Sequence, residues 1–399
     1  MRCDSTTAID HIRTLTGIFL LSLIGVFGMD FCLPALPAIT IALHTSVSLA
    51  KLTIAIYFGG MCSGLMIFGP LSDQYGRRKV LMSALSVALI GSIICALTPN
   101  IHGMMLGRFL QGFGLASGMT LGRTILQDLF PEKQFLRISA YLGMMTPLII
   151  AVAPTIGGYI QELWGWRMSF SVLCLLVATV TVYIALYVPE SNRQCQHGAA
   201  HPTHMCRFYW QLLRTKHFLI YPLLSGTISG GWMVYLTISP FLLQNEMGLS
   251  PIAYGHLAVL NAAAIIIGSF LNARLVSVWS PHKMILMGSI GTIIAAGAML
   301  GMGLLGWLSV MAIVIPLFFY LLFAQWVLPQ AAFCTSRIMA QYKGYTSSLH
   351  TTIQLMLTLF FSLCAALLPM YSQIPMSAFI FGGVLLGLLC LLSNKDIFR

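Results

Sequence analysis

The sequence has few charged residues, and acids are the scarcer of the two kinds. Charged residues make up 8% of its 399 positions, with 10 acids against 21 lysines and arginines. A soluble globular domain is roughly one quarter charged, and a disordered chain combines low hydrophobicity with high charge. The composition therefore excludes both of these classes.

Several chemical motifs are also absent. The sequence contains no phosphate-binding loop, so the energy source is expected to be an ion gradient and not ATP. It contains no His-Glu-x-x-His, paired aspartates or nucleophile–base pattern, so we expect no enzyme, no catalytic residue and no cofactor. The 10 cysteines are scattered, mostly within apolar runs, and form no disulfide framework, which favours an inner-membrane over a secreted protein.

Apolar residues are abundant instead, at 58% of the chain. Because a membrane span needs about 20 apolar residues, about twelve spans would use most of the length. The apolar segments fall as six, a polar stretch, and six more. The predicted fold class is an all-α membrane protein with twelve transmembrane helices in two six-helix bundles. Residues 1–190 are predicted as the N-terminal bundle, 191–216 as a cytoplasmic central loop and 217–399 as the C-terminal bundle.

The basic residues orient these segments. With the N-terminus inside, seventeen lysines and arginines fall on the cytoplasmic side and two, Lys51 and Arg167, fall outside. The positive-inside rule therefore predicts a bacterial inner-membrane protein with both termini in the cytoplasm. Since topology accounts for the positive charge, no nucleic-acid partner is expected.

An internal echo relates the two halves. LSDQYGRRKVLMSA (residues 71–84) resembles LNARLVSVWSPHKMILMGS (residues 271–289). Both begin with leucine and a small polar residue and end with a basic residue shortly before Leu-Met. Their corresponding positions suggest a duplication, with a central interface at which a ligand binds.

The stretch GMDFCLPALP (residues 28–37) places an acid, Asp30, well inside an apolar segment. An ionised carboxylate there costs about 3 kcal/mol, so Asp30 is expected to take up and release protons or to meet a cation. We predict Asp30 and Arg108 as a proton-coupling pair, in which Arg108 compensates the acid in one state only. The alternative is a static ion pair that keeps Asp30 ionised.

The stretch GPLSDQYGRRKV (residues 69–80) resembles the signature loop of the major facilitator superfamily. Gly69 is expected to allow close helix approach, Gly76 to adopt a positive φ, and Asp73 to accept hydrogen bonds from a helix N-terminus. We expect Asp128 to meet a basic residue of this loop and latch the outward-facing state, the alternative being ordinary anchoring at the interface. The predicted conformational-switch residues are Gly69, Asp73, Gly76, Arg77, Arg78 and Asp128.

Two further stretches resemble motifs of the same superfamily. RFLQGFGLASG (residues 108–118) is similar to the fourth-span motif of proton-coupled members, and MTPLIIAVAPTIGGYI (residues 145–160) to the fifth-span antiporter motif, with Pro154, Gly157 and Gly158 at its core. Together with GMDFCLPALP they resemble the bicyclomycin-resistance (Bcr/CflA) branch of drug:proton antiporters. GYTSSLHTTIQ in the eleventh segment is bulkier than that branch usually has, which puts the substrate in doubt.

A substrate cavity needs apolar walls with a few polar groups. The candidate residues are Tyr57, Met61, Gln111, Met119, Met145, Tyr235, Asn261, Gln325, His350 and Gln354. His350 is either a second titrating group or a neutral hydrogen-bonding one. The central loop also holds metal-ligand types, but their spacing matches no standard finger, so we expect no metal there. These are Cys195, His197, His201, His204 and Cys206.

The resemblance implies proton-coupled multidrug efflux by alternating access, an antiporter exporting small amphipathic compounds. The expected partners are a small-molecule substrate, protons and membrane lipids, and the protein is expected to be a monomer. One alternative is a dedicated exporter of a metabolite, peptide or siderophore, which would have the same sequence features. An alternative of another class is a non-transporting membrane sensor, which the antiporter-type fifth span and the lack of a large soluble domain disfavour.

Overall fold

The fold of the described chain is almost wholly helical. The structure is a computed structural model that describes residues 8–192, 218–338 and 343–393, and none of these residues lies in a strand. The all-α class predicted from the sequence is therefore confirmed. Nearly all of the predicted central loop falls outside the described residues, and so do the cysteines and histidines in it: Cys195, His197, His201, His204 and Cys206.

The described residues divide into two compact units. The first takes in those within Met1–Thr45 and Ile56–His201, and the second those within Ser46–Ala55 and Pro202–Arg399. Ser46–Ala55 thus packs with residues that come much later in the chain.

The first unit contains the helices of the first half. They are α1 (Ala8–Asp30), a 3-10 turn (Leu33–Ala35), α2 (Leu36–Ala42), most of α3 (Val47–Tyr75), α4 (Arg77–Leu97), α5 (Ile101–Leu129), α6 (Glu132–Trp164) and α7 (Trp166–Tyr187). The second unit contains the remaining helices. They are α8 (Ile220–Phe241) with a π-helical turn (Leu242–Glu246), α9 (Pro251–Leu275), α10 (Pro281–Leu304), α11 (Val310–Ile338), α12 (Lys343–Leu367) and α13 (Ile374–Leu392).

The helices account for twelve membrane spans. Ten segments of the described chain are long and apolar enough to cross a bilayer, with α1 and α2 together forming one of them, Ile12–Ala42. The other two spans are α5 and α8, which at 29 and 22 residues are long enough but less apolar. α5 is less apolar because it carries Arg108, Arg123 and Asp128.

The helix of the first span is broken near its middle. α1 ends at Asp30, and the chain passes through the 3-10 turn before α2 begins. Pro34 and Pro37 occupy early positions in the two following helices, where proline is tolerated. Neither proline has an N–H to continue the ladder of α1, so the break follows directly from the sequence LPALP.

Glycines bring α3 and α4 very close to α5. A Cβ atom added at Gly112 would overlap the carbonyl oxygen of Tyr57, and one at Gly91 would lie 2.6 Å from the backbone nitrogen of Gln111. Small residues at such crossings allow helix backbones to touch. The close approach brings side chains of α3 and α4 against the first half of α5, where Arg108 lies.

Candidate functional site

Asp30 is a buried acid at the break in the first span. Its side chain is 6% exposed, and its Oδ1 atom is buried without a hydrogen-bond partner among the described residues. A buried polar atom that lacks a partner carries most of its desolvation cost. The site therefore favours any species that can supply a proton or a donor to this oxygen.

Arg108 is fully buried nearby, but it is held by neutral groups. Its Nη1 donates to the carbonyl of Gly28 at 2.7 Å and to Oε1 of Gln111 at 2.6 Å. The Gln111 amide in turn donates to Ser92 Oγ at 3.0 Å. The guanidinium carbon lies 4.3 Å from the centroid of the Tyr57 ring. These contacts fix the guanidinium from α1, α3 and α5 together.

The acid and the guanidinium do not form an ion pair. Among the ion pairs within 4.0 Å that the described residues make, none joins Arg108 to Asp30. The carbonyl of Gly28 can accept from Arg108 because α1 ends two residues later, and the last carbonyls of a helix have no partner within it. The break in the first span thus supplies Arg108 with a neutral acceptor in place of the carboxylate.

The antiporter-type stretch of α6 packs against the same break. A Cβ atom added at Gly157 would overlap the carbonyl oxygen of Phe31, the residue after Asp30. Pro154 and Gly158 are buried beside it, and Pro147 and Pro154 both lie inside the helix. Each proline removes one N–H from the helix ladder, which makes α6 easier to bend at this point. The motif is therefore in direct backbone contact with Phe31, the residue that follows the acid.

The predicted conformational-switch residues other than Gly69 lie together at the start of α4. Gly76 has φ of +99°, as predicted from its type. The guanidinium of Arg77 pairs with Asp73, lies 3.3 Å from Asp128 Oδ2 and donates to Ser72 Oγ at 2.6 Å. Arg78 donates to the carbonyl of Ala185.

Two expectations about this loop were wrong. The helix N-terminus is capped by Glu190 and not by Asp73, since the backbone N–H groups of Arg77 and Arg78 donate to Glu190 Oε1 and Oε2 at 2.8 and 3.1 Å. Asp73 is engaged by Arg77 instead. Gly69 lies inside α3. A Cβ atom added there would meet no other atom of the described residues closer than 4 Å, so no helix packs closely against Gly69.

Glu190 is the residue that the sequence analysis missed in this network. It lies 113 positions after Arg77, beyond the end of α7, in the sequence PESN. Its neighbours complete the cluster, because Ser191 Oγ donates to Asp128 at 3.0 Å and Asn192 donates to the carbonyl of Asp73 at 3.0 Å. The available signal was an acid directly after the last span of the first half.

The proposed cavity residues of the first half are divided by exposure. Tyr57 and Gln111 are buried in the Arg108 cluster, and Met61 is nearly buried. Met119 and Met145 are 59% and 37% exposed, on α5 and α6. The structure therefore brings two of these five residues together around Arg108.

Those of the second half form separate polar contacts. Tyr235 is hydrogen-bonded to Asn261, and both are buried. Gln354 Nε2 donates to Ser229 Oγ at 2.7 Å, and Gln325 Oε1 lies 3.5 Å from Ser269 Oγ.

His350 hydrogen-bonds to a neighbouring hydroxyl group. Its Nδ1 lies 2.9 Å from Oγ1 of Thr335, which also lies 2.8 Å from the carbonyl oxygen of Ala331. The tautomer of the ring decides which of the two groups is the donor between His350 and Thr335. His350 is thus a hydrogen-bonding histidine in the second unit.

Lys51 is a buried cation. The sequence analysis counted it among the residues on the outer side of the membrane. It lies in the second turn of α3, is 1% exposed, and donates through Nζ to the carbonyls of Leu368 at 2.6 Å and Ala365 at 3.3 Å. No acid pairs with it among the residues that the structure describes. The ammonium therefore caps the C-terminal end of α12, where the last carbonyl groups of a helix have no partner within it.

The described residues hold no cluster of three or more histidines, cysteines or acids that suits a metal ion. What the geometry does supply is a buried carboxylate at a broken helix, a guanidinium held beside that break, and a separate charge network at the start of α4. These are features of a protein that binds and moves solutes through a membrane.

Comparison with known sequences identifies the class. The profile of the Major Facilitator Superfamily matches residues 18–362. The "Uncharacterized MFS-type transporter YdgK" of Bacillus subtilis (strain 168) is 31% identical over 306 residues, which are 76% of each chain. The "Bicyclomycin resistance protein homolog" of Haemophilus influenzae is 25% identical over 258 residues, 65% of each chain. The chain belongs to the Major Facilitator Superfamily, and it is a multi-pass membrane transporter and not an enzyme.

The fold agrees with this membership. The crystal structure of a D-xylose-proton symporter matches with a TM-score of 0.77 at 16% identity, covering 95% of this chain and 97% of that one. The predicted twelve-helix fold of the superfamily is thereby confirmed. The resemblance to the bicyclomycin-resistance branch is confirmed as well, by the similarity to the Haemophilus protein.

Proposed function

We propose that this transporter exports small amphipathic compounds in exchange for protons, by alternating access. The proposal rests above all on Asp30, whose buried Oδ1 has no partner among the described residues while Arg108 is held by Gly28 and Gln111. The resistance named for the Haemophilus relative supports export as the direction of transport.

The exchange follows from competition for one carboxylate. A bound proton removes the charge of Asp30, and a donor group or cation on a substrate compensates it in another way. Because Arg108 does not occupy the carboxylate, either species can reach it without first breaking an ion pair. Occupancy by one disfavours the other, which is what an antiporter requires.

The setting completes the proposal. We place the protein in a bacterial inner membrane with both termini in the cytoplasm, in accordance with its basic residues. It acts as a monomer on a small-molecule substrate and protons within membrane lipids, without nucleic acid. The proton gradient is the energy source, and no cofactor takes part.

Proton flux in proteoliposomes tests this function. The purified protein is reconstituted with a pH-sensitive dye inside, a pH gradient is imposed, and a panel of amphipathic compounds is added one at a time. Addition of a substrate should cause proton flux across the membrane in liposomes with the wild-type protein and not in those with Asp30→Asn. Glu246→Gln, which changes an exposed acid in the second unit, should behave as the wild type.

Other outcomes separate the alternatives. If a folded Asp30→Asn protein still exports substrate under a pH gradient, Asp30 is ruled out as the coupling group. Flux with a single metabolite, peptide or siderophore would favour a dedicated exporter. If no solute moves under any gradient, the proposed export fails and the non-transporting alternative is favoured.

A further inference from the structure

Two exposed cations flank the turn between α9 and α10, which is here called the α9–α10 turn (residues 276–280). Arg274 lies in the last turn of α9, with its guanidinium carbon 4.6 Å from the Phe270 ring centroid. Lys283 lies in the first turn of α10, with Nζ 4.6 Å from the Trp279 ring centroid. Cation–π contacts hold such side chains in place without neutralising them. Both charges therefore remain available at the surface.

No acid of the described second unit neutralises them. The acids after residue 202 are Glu246 and Asp396, of which Asp396 lies outside the described residues. Glu246 precedes the start of α9 at Pro251, whereas Arg274 lies near its end. At a rise of 1.5 Å per residue, these two ends of α9 are about 35 Å apart. Glu246 is thus far beyond the range of an ion pair.

The equivalent loop of the first unit contains its own anions. There Glu190 receives the N–H groups of Arg77 and Arg78, and Arg77 also meets Asp73 and Asp128. In the echo of this loop, alanine stands where Asp73 would be, since LSD corresponds to LNA. The neighbouring Asn272 forms a neutral contact instead, accepting from Gln330 Nε2 at 3.0 Å. Among the residues that the structure describes in the second unit, no acid takes the place of those anions.

The apolar part of the turn indicates the source of that anion. Val278 is 78% exposed at the middle of the turn, and Val276 is exposed next to it. Trp279 packs edge-on against Trp326 with ring centroids 6.1 Å apart. Tryptophan beside exposed aliphatic groups and cations is the composition of a membrane–water interface. Soluble phosphate would use the cations but not the valines.

We infer that the α9–α10 turn binds the headgroup of an anionic phospholipid. Arg274 and Lys283 donate to the phosphate, Val276 and Val278 contact the start of the acyl chains, and Trp279 lies at the level of the headgroups. A basic residue near an anionic membrane surface contributes about 1 kcal/mol, which corresponds to about a fivefold change in binding. The inference is independent of the proton-coupling proposal, because lipid binding is measured without transport.

Native mass spectrometry of the full-length protein tests the site. The protein is titrated with phosphatidylglycerol, with phosphatidylcholine and with inorganic phosphate. Wild type should retain phosphatidylglycerol over phosphatidylcholine, and inorganic phosphate should not displace it. Arg274→Gln and Lys283→Gln should each weaken phosphatidylglycerol binding about fivefold, and the double variant about 25-fold. Thermal unfolding in phosphatidylcholine should be the same for all these proteins.

Arg337→Gln is the matched control. Arg337 is another basic residue at a helix end of the second unit, and its guanidinium carbon lies 4.6 Å from the Phe333 ring centroid. Unlike Arg274 and Lys283, it does not flank the α9–α10 turn. An equal loss in this variant would mean that only overall charge matters and would overturn the site. Equal binding of both lipids, an unchanged double variant, or displacement by inorganic phosphate would each overturn it too. If the double variant does not fold, Val278→Ser decides, and unchanged phosphatidylglycerol retention there would refute the apolar contact.

Discussion

The Arg108 guanidinium donates to the Gly28 carbonyl at 2.7 Å, two residues before the acid with which it was expected to pair. The carbonyl is free because the helix stops at Asp30. The arginine is therefore fixed by the backbone of the broken span, and the carboxylate remains open to other partners. The static ion pair that was the alternative for these two residues is therefore not present.

Removing Arg108 should damage both the fold and transport. Arg108→Gln loses two charge-assisted hydrogen bonds and the contact with Tyr57. Each such bond contributes about 1.5–3 kcal/mol, and a glutamine recovers part of this, so we expect a loss of about 3 kcal/mol in stability. Thermal unfolding in detergent measures it.

Arg123→Gln on the same helix is the control for Arg108. Arg123 is exposed, and its guanidinium carbon is 5.9 Å from the Phe135 ring centroid. We expect its stability to stay within about 0.5 kcal/mol of the wild type. Equal effects in the two variants would contradict the assignment of Arg108 as the anchored residue.

Adding a methyl group at Gly157 should uncouple α6 from the break. The Cβ of Gly157→Ala would overlap the Phe31 carbonyl, so α6 must move away from the residue next to Asp30. Overpacking of this kind costs about 1–3 kcal/mol. We expect substrate-dependent proton flux to fall strongly, as measured in proteoliposomes.

Gly143→Ala on the same helix makes the same chemical change without the clash. A Cβ atom at Gly143 meets nothing within 4 Å in the described chain. Because alanine is the better helix former by about 1 kcal/mol, this variant should be as stable as the wild type or slightly more so. Normal flux in Gly157→Ala would disprove the close contact.

Truncating Glu190 should loosen the start of α4. Glu190→Ala leaves the N–H groups of Arg77 and Arg78 without their acceptor, and the loss of a helix cap costs about 1 kcal/mol. Hydrogen exchange at these two amides should become faster. Glu246→Ala is the control, because this acid is outside the network and exchange at the same amides should not change. Unchanged exchange in Glu190→Ala would show that Glu190 does not cap the helix.

Replacing Lys51 should free the end of α12 while changing global stability little. Lys51→Met removes a buried charge, which is often neutral or stabilising, but it also removes the donor to Leu368 and Ala365. We expect faster hydrogen exchange around residues 365–370 with a nearly unchanged melting temperature. Lys51→Arg keeps a donor and should keep the protection. Wild-type exchange rates in Lys51→Met would show that the contact is not maintained in solution.

The sequence was sufficient for the parts of this molecule that depend on local composition. Apolar length predicted the spans, and the isolation of Asp30 within an apolar run singled it out. Gly76 needed its positive φ because the chain turns there between two helices. Each of these features depends on a short stretch of neighbouring residues.

Contacts between distant residues were not predictable in the same way. Nothing near Glu190 in the sequence indicates that it caps a helix that begins 113 positions earlier. Lys51 was counted among the residues of the outer side, and nothing near it in the sequence indicates that its ammonium donates to the carbonyls of Leu368 and Ala365. Exposure of Met119 and Met145 likewise depends on how the helices pack and not on residue type.

The position of the break has an electrical consequence. Asp30 lies 18 residues after the start of the span Ile12–Ala42 and 12 residues before its end, so it is past the middle. A proton exchanging there from the far side has crossed about two fifths of the span, and one charge crossing the whole membrane gains about 2.3 kcal/mol per 100 mV. Under the proposed coupling, loading Asp30 would thus be worth about 1 kcal/mol per 100 mV, and the membrane voltage would act on this carboxylate together with pH.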